Sequence, residues 1–124
     1  MKTLALLPLA IFAVAAPALA APPVKAVKTE KGEVAAAPTG MTLYTYKKDE
    51  KGTSNCYDKC ATNWPPFVAD SAAKPEGAYS LVTRKDGTKQ WAKDGMPLYF
   101  WIKDTKEGEA TGDGVGGVWD VVKP

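Results

Sequence analysis

The sequence contains no histidine. Ser–His and Cys–His nucleophilic pairs, the commonest general base and the commonest transition-metal ligand are therefore absent together. Cysteine is scarce, with Cys56 and Cys60 the only two. Charge of one sign is not in excess: 16 basic side chains face 14 acidic ones, and the two signs are interspersed. Binding a phosphate backbone or an anionic membrane needs a concentrated basic surface, so no nucleic-acid partner is expected. Beyond the first 20 residues no apolar run approaches the length of about 20 that a spanning helix requires. No membrane insertion of the mature chain is expected.

What is present begins with a secretory signal over residues 1–20. Lys2 supplies the positive start, Leu4 to Ala16 the apolar stretch, and Ala18-Leu19-Ala20 a small-x-small cleavage site. Cleavage near Ala20 leaves 104 residues with a net charge of +1. No cysteine stands directly after the cleavage site, so the chain is expected to be periplasmic or secreted and not lipidated. Residues 21–39 are rich in Ala, Pro and Lys, without an aromatic or an apolar period. Such a composition buries too little surface to offset ordering entropy, and it predicts a disordered tether. The folded unit is then 40–124, one small domain whose single core is marginal in size.

A motif in that unit occurs twice, 55 positions apart. Gly40-Met41-Thr42-Leu43-Tyr44-Thr45-Tyr46-Lys47-Lys48-Asp49 returns as Gly95-Met96-Pro97-Leu98-Tyr99-Phe100-Trp101-Ile102-Lys103-Asp104. Trp64 follows Tyr44 by 20 residues, and Trp119 follows Tyr99 by the same interval. Register at so many positions predicts a duplicated supersecondary unit, with repeat one about 40–68 and repeat two about 95–122.

Strand signals dominate. Alternation over Leu43 to Lys48 places Tyr44 and Tyr46 on one face, and Leu98 to Lys103 repeats the pattern with Tyr99 and Trp101. The second copy is apolar on both faces and is expected to be the more central strand. Asp86-Gly87 predicts a hairpin turn between Tyr79–Arg84 and Thr88–Ala92. With the turn at Asp94-Gly95, residues 79–103 read as a three-stranded antiparallel meander, and Val118–Val122 as a last strand. Ser54 is placed as an N-cap for a short helix near Cys56–Asn63, which Trp64-Pro65-Pro66 ends. The fold class is mainly β: a small antiparallel domain, sandwich or barrel, of two repeated halves with one short helix.

Those motifs resemble a bacterial family known as the secreted repeat of unknown function, described as predicted lipoproteins with a Tyr-x-(Phe/Trp/Tyr)-x-x-Asp pattern. Tyr44 to Asp49 and Tyr99 to Asp104 are two copies of that pattern. Ser54-Asn55-Cys56-Tyr57-Asp58-Lys59-Cys60-Ala61-Thr62-Asn63-Trp64-Pro65-Pro66 is similar to the family's Ser-x-Cys-x-x-x-Cys-Ala-x-x-Trp-Pro-Pro block. Gly112 to Trp119 completes the match. Two departures stand out. Many members carry a lipidated cysteine that this signal lacks, and members similar to this chain often have His after the last Trp, where Asp120 stands here. The resemblance implies no catalytic residue.

Several groups offer chemistry, each beside a plainer role. Cys56 and Cys60 are expected to form a disulfide, because an exported chain meets oxidising conditions; a redox or thiolate-metal pair is the alternative. The closed loop is short, so the staple contributes only about 2 kcal/mol on the chain-entropy model. Met41 and Met96 are soft ligands at matching positions, or gap-filling core residues. Asp104, Glu107, Glu109 and Asp113 lie in a glycine-rich loop that could offer oxygens to Ca²⁺, though a solvated loop is favoured and no metal is assigned. Tyr44, Tyr46, Tyr99 and Trp101 are candidate ligand-binding residues, as the lining of a two-fold cleft that stacks a flat or glycan-like ligand, or else core. Asp49 and Asp104 are expected to accept bonds from turn amides, and Trp64 and Trp119 to serve as structural landmarks. No cofactor and no enzyme activity are expected. The leading function is an exported binding or envelope-associated module for an unknown small molecule or envelope component. A periplasmic redox or metal-handling protein is the alternative, and a structural envelope protein the third.

Overall fold

Strand pairing starts well before the first repeated motif. The computed structural model describes residues 23–124, and the signal segment lies outside them. Lys25–Thr29 forms β1 and Gly32–Ala36 forms β2, antiparallel with Val27 opposite Val34. From residue 23 onward this corrects the expectation of a disordered tether over residues 21–39: Val34, Ala35, Ala36 and Ala37 are buried. Alanines offer little apolar area, but their size lets the hairpin lie close to its neighbours. The Ala35 amide donates to the Val122 carbonyl at 2.7 Å, and the Ala35 carbonyl accepts from the Leu43 amide at 3.0 Å. The Thr29 hydroxyl closes the turn, bonding the Gly32 carbonyl and the Lys31 amide.

The remaining elements follow in chain order. They are β3 (Tyr44–Tyr46), α1 (Lys59–Asn63), β4 (Tyr79–Thr83), β5 (Lys89–Lys93), β6 (Met96–Pro97), a short 3₁₀ turn (Val115–Gly117) and β7 (Trp119–Val121). The order β4-β5-β6 is antiparallel throughout, as the meander reading predicted, and β3 pairs antiparallel with β7. The hairpin β1–β2 is the first-copy counterpart of β4–β5: Ala36 bridges Thr42, while Ala92 pairs with Pro97, the repeat mate of Thr42.

The two copies meet about an approximate dyad. The Tyr44 amide donates to the Tyr99 carbonyl at 2.8 Å, and the Tyr99 amide returns the bond to Tyr44 at 2.9 Å. Around that pair the contacts recur in twos. Val122 bonds Leu43 where Phe67 bonds Leu98, and Ala35 bonds Val122 where Trp91 bonds Phe67. Neither copy is therefore the more central one, contrary to expectation, because Tyr44 and Tyr99 are each other's neighbours at the axis. Small antiparallel sheets linked by bridges make up the architecture.

Alternation along the axial segments sends side chains to two cores. Leu43 and Leu98 enter one with Ala35, Phe67, Tyr79, Trp91 and Val122. Tyr44 and Tyr99 enter the other with Cys56, Trp64 and Trp119. Full burial of Leu43 and Leu98 contributes roughly 1.5–3 kcal/mol each. The second-copy strand is shorter than expected. After Phe100 the chain turns, with the Asp104 amide bonding the Trp101 carbonyl at 3.0 Å, as the Asp49 amide bonds Tyr46 at 3.0 Å. The helix is also shorter, starting at Lys59 behind Asp58. Ser54 is not its N-cap, since its hydroxyl is drawn into the core network instead.

Candidate functional site: an aromatic interior and a polar loop cleft

The four candidate ligand-binding aromatics do not line an open cleft, because they pack against one another. Tyr46 stacks on Trp119 at 4.2 Å between ring centres, Trp119 on Trp64 at 3.8 Å, and Trp64 on Trp101 at 4.0 Å. The repeat operation exchanges Tyr46 with Trp101 and Trp119 with Trp64, so the four-ring stack is itself two-fold. Tyr44 meets Trp64 edge-on at 5.3 Å, and Tyr99 meets Trp119 edge-on at 5.2 Å, the arrangement that ring quadrupoles favour. Tyr44 and Tyr99 are fully buried, in keeping with the core alternative for these rings and not with a ligand-facing one; Tyr46 and Trp101 are half-buried at the ends of the stack. Stacking is possible because each ring arrives from a different segment. Tyr46 and Trp119 sit on paired strands, Trp64 ends α1, and Trp101 opens a turn. Gly112 gives the stack room: a Cβ there would lie 2.8 Å from the Trp64 ring and 2.9 Å from that of Trp101.

The repeated aspartates do more than close turns. Asp49 accepts the Asn55 amide at 2.7 Å and Asp104 accepts the Thr111 amide at 2.9 Å, as expected of turn aspartates. Their second oxygens reach the opposite copy. The Tyr44 hydroxyl donates to Asp104 at 2.5 Å and the Tyr99 hydroxyl to Asp49 at 2.7 Å. Burial, reinforced by these carboxylates, pushes both phenols well above their ordinary pKa. Burial also raises the Asp49 carboxyl, against the bonds from Tyr99 and Asn55 and the charge of Arg84.

Around Tyr99 the network is larger, and sequence reasoning missed its members. Arg84 is buried and donates to Ser54 Oγ at 3.0 Å, Gln90 Oε1 at 2.7 Å and the Cys56 carbonyl at 2.8 Å. Ser54 contacts the Tyr99 hydroxyl at 2.5 Å, and Gln90 donates onward to the Leu98 carbonyl. Arg84 precedes Lys85-Asp86-Gly87, a stretch that composition alone assigns to solvent. Its stacking on Tyr57, 4.3 Å from the ring centre, gives the guanidinium an aromatic neighbour. No side-chain polar atom buried among the described residues lacks a partner.

Cys56 and Cys60 form the expected disulfide, with Cα atoms 5.2 Å apart. Cys56 is fully buried and both sulfurs pack against the aromatic core. Met41 and Met96 are half-buried at equivalent places. Among the described residues no three His, Cys, Asp or Glu side chains gather to hold a metal. The four acidic groups of the glycine-rich loop are engaged separately. Asp104 serves Tyr44, Glu107 pairs with Lys25 at 3.2 Å, and Asp113 accepts the Val121 amide at 3.1 Å. Glu109 is held below its usual carboxylate range by bonds from Thr105 and by the Lys106 amide.

An open concavity does exist, beside that loop and away from the rings. A cleft of about 530 Å³ lies between the first hairpin turn and residues 106–113. Glu30, Lys31, Lys106, Glu107, Glu109 and Asp113 supply its charges. Both of its walls belong to regions the sequence reading had set aside, one as tether and the other as solvated loop.

A family model described as a secreted repeat of unknown function matches the chain twice, over residues 25–68 and 80–123. Each match opens in a hairpin, the first at the start of β1 and the second within β4. No curated protein and no solved structure was found to match the chain. The chain belongs to the family of secreted repeats of unknown function.

Proposed function

We propose that this member of the secreted-repeat family is an exported, non-enzymatic binding module. Its ligand is a polar small molecule or envelope component received in the cleft between the Glu30–Lys31 turn and residues 106–113. One observation carries the reading: the cleft is a concavity of ligand size lined by carboxylates and ammonium groups, while the aromatic interior is filled by its own rings. Small-molecule sites have volumes of about 300–1,000 Å³ and a few placed polar groups that fix orientation. In this reading the duplicated aromatic core is the scaffold and the unlike loops carry recognition. A chain without histidine has few routes to acid–base or nucleophilic catalysis, which supports a binding role. Removal of the signal near Ala20 leaves Ala21 at the new terminus, which supports a periplasmic or secreted chain without a lipid.

Backbone NMR titration with a panel of envelope glycans, muropeptides and short peptides tests the proposal. A ligand is expected to shift resonances at residues 30–31 and 106–113, and Lys31→Glu with Lys106→Glu to weaken it at least tenfold. Silence across the panel would point to a structural envelope protein. Thiol titration addresses the redox or metal-handling alternative. The buried Cys56 supports a slow-reducing staple, and a readily reduced pair would favour the alternative.

A further inference from the structure

Beyond binding, the interior arranges groups whose shared chemistry is one-electron transfer. Four rings lie face to face in unbroken van der Waals contact, from half-buried Tyr46 through Trp119 and Trp64 to half-buried Trp101. Tryptophan and tyrosine are the protein side chains most readily oxidised by one electron. Two further phenols branch from the middle of the stack, Tyr44 at Trp64 and Tyr99 at Trp119. Each branch ends in a hydrogen bond to a carboxylate from the opposite copy. An oxidised phenol is a very strong acid, so its oxidation is easy only where a base stands within hydrogen-bond reach.

We infer that the stack and the two Tyr–Asp pairs form a redox chain that passes an oxidising equivalent from the surface to a buried phenol. An oxygen-centred radical meeting the surface, such as a peroxyl, takes an electron from the Tyr46 or Trp101 ring and leaves as its anion, which water protonates to a hydroperoxide. Electrons from the inner tryptophans refill that hole, and it comes to rest on Tyr44 or Tyr99. There the O–H bond breaks, its proton forms a new O–H bond with the Asp104 or Asp49 carboxylate, and a neutral tyrosyl radical remains. The sum is one electron lost to the oxidant and one proton moved within the protein. A hydroquinone-type donor at the surface returns the electron through the same rings, and the proton goes back from the carboxyl to the phenol. Burial of the Asp49 carboxyl raises its proton affinity, which favours the transfer from Tyr99. In an oxidising compartment such a chain holds a radical away from solvent and from neighbouring molecules.

The test is flash photo-oxidation of the full chain with a ruthenium tris-bipyridine and persulfate, read by EPR and transient absorption. Wild type is expected to give a long-lived tyrosyl signal. Tyr44→Phe with Tyr99→Phe should abolish that long-lived signal and leave tryptophanyl radicals with a short-lived tyrosyl at Tyr46. Asp104→Asn with Asp49→Asn should do the same, since an amide takes no proton from the phenol and its single acceptor oxygen serves either the phenol or the turn amide, where each aspartate holds both. Tyr57→Phe with Tyr79→Phe, outside the stack, should leave the signal unchanged. Near-UV circular dichroism checks that each variant keeps its core; where a double variant does not, each single substitution is expected to move the radical to the remaining buried phenol and change its EPR hyperfine pattern. A wild type that yields only tryptophanyl radicals, a long-lived tyrosyl signal that survives loss of Tyr44 and Tyr99, or one that disappears with Tyr57 and Tyr79 would each overturn the inference.

Discussion

The Tyr44 hydroxyl donates a hydrogen bond to Asp104, and the pair joins the first copy of the repeat to the second. Tyr99 and Asp49 make the mirror bond, so each copy supplies the acceptor that the other one needs. A single copy would leave a buried hydroxyl and a buried carboxylate oxygen unmatched. The duplication is thus held together by polar exchange as well as by the shared stack of rings.

Replacing Tyr44 with Phe keeps the ring against Trp64 but strands Asp104 Oδ2 and the Gly112 amide, which the hydroxyl also accepts. The expected loss is about 1–3 kcal/mol, the cost of leaving a buried polar group unpaired. Urea denaturation followed by tryptophan fluorescence measures it. Substitution of both Tyr44 and Asp104 should cost less than the sum of the single changes.

Alkaline pH should unfold the protein through its buried phenols. Tyr44, Tyr79 and Tyr99 are raised above the ordinary value of 10.0, so near and above that pH the native state holds more protons than the unfolded one. Their contribution is fully present below pH 10 and is lost as pH rises toward the native-state values. For each phenol still protonated in the fold, stability falls by about 1.4 kcal/mol per pH unit. Asp49 acts with the same sign in acid, losing stabilisation as pH rises above 3.8. Spectrophotometric tyrosinate titration should show phenols that ionise only with unfolding, and free ionisation of all five tyrosines in the native fold would contradict this.

Arg84→Lys is expected to destabilise nearly as much as Arg84→Met. The guanidinium bridges Ser54, Gln90 and the Cys56 carbonyl at once, a planar fork that an ammonium cannot reproduce. Hydrogen bonds to charged groups are worth about 1.5–3 kcal/mol each, so a total loss of several kcal/mol should appear as a lower thermal midpoint. A lysine variant as stable as wild type would refute the multidentate role.

Gly112→Ala introduces a methyl group between Trp64 and Trp101. Overpacking of this kind costs about 1–3 kcal/mol, and here it must also spread the two rings. A change in near-UV circular dichroism of the stack should accompany the loss. Alanine at Gly114, where a Cβ meets nothing, should leave that spectrum unaltered while straining a backbone at φ +83°.

Local and periodic signals carried much of the architecture in the sequence alone. The 55-residue offset, the Asp86-Gly87 hairpin, the β4-β5-β6 order and the Cys56–Cys60 bridge needed only spacing, turn chemistry or the pairing of the two cysteines of a secreted chain. The roles of the aromatics needed more. Whether Tyr44 and Tyr46 face a ligand or one another depends on where Trp64, Trp101 and Trp119 arrive, and those rings come from other segments.

Chain order therefore determined that this protein is two copies of one strand-rich unit, because backbone conformation and repeat register are written in neighbouring residues. Tertiary contact decided that the alanines of β2 are buried, that Arg84 turns inward and that each tyrosine bonds the other copy's aspartate. The reason is physical. The burial of a small or charged side chain depends on what closes over it, and here the closing surface comes from the opposite repeat.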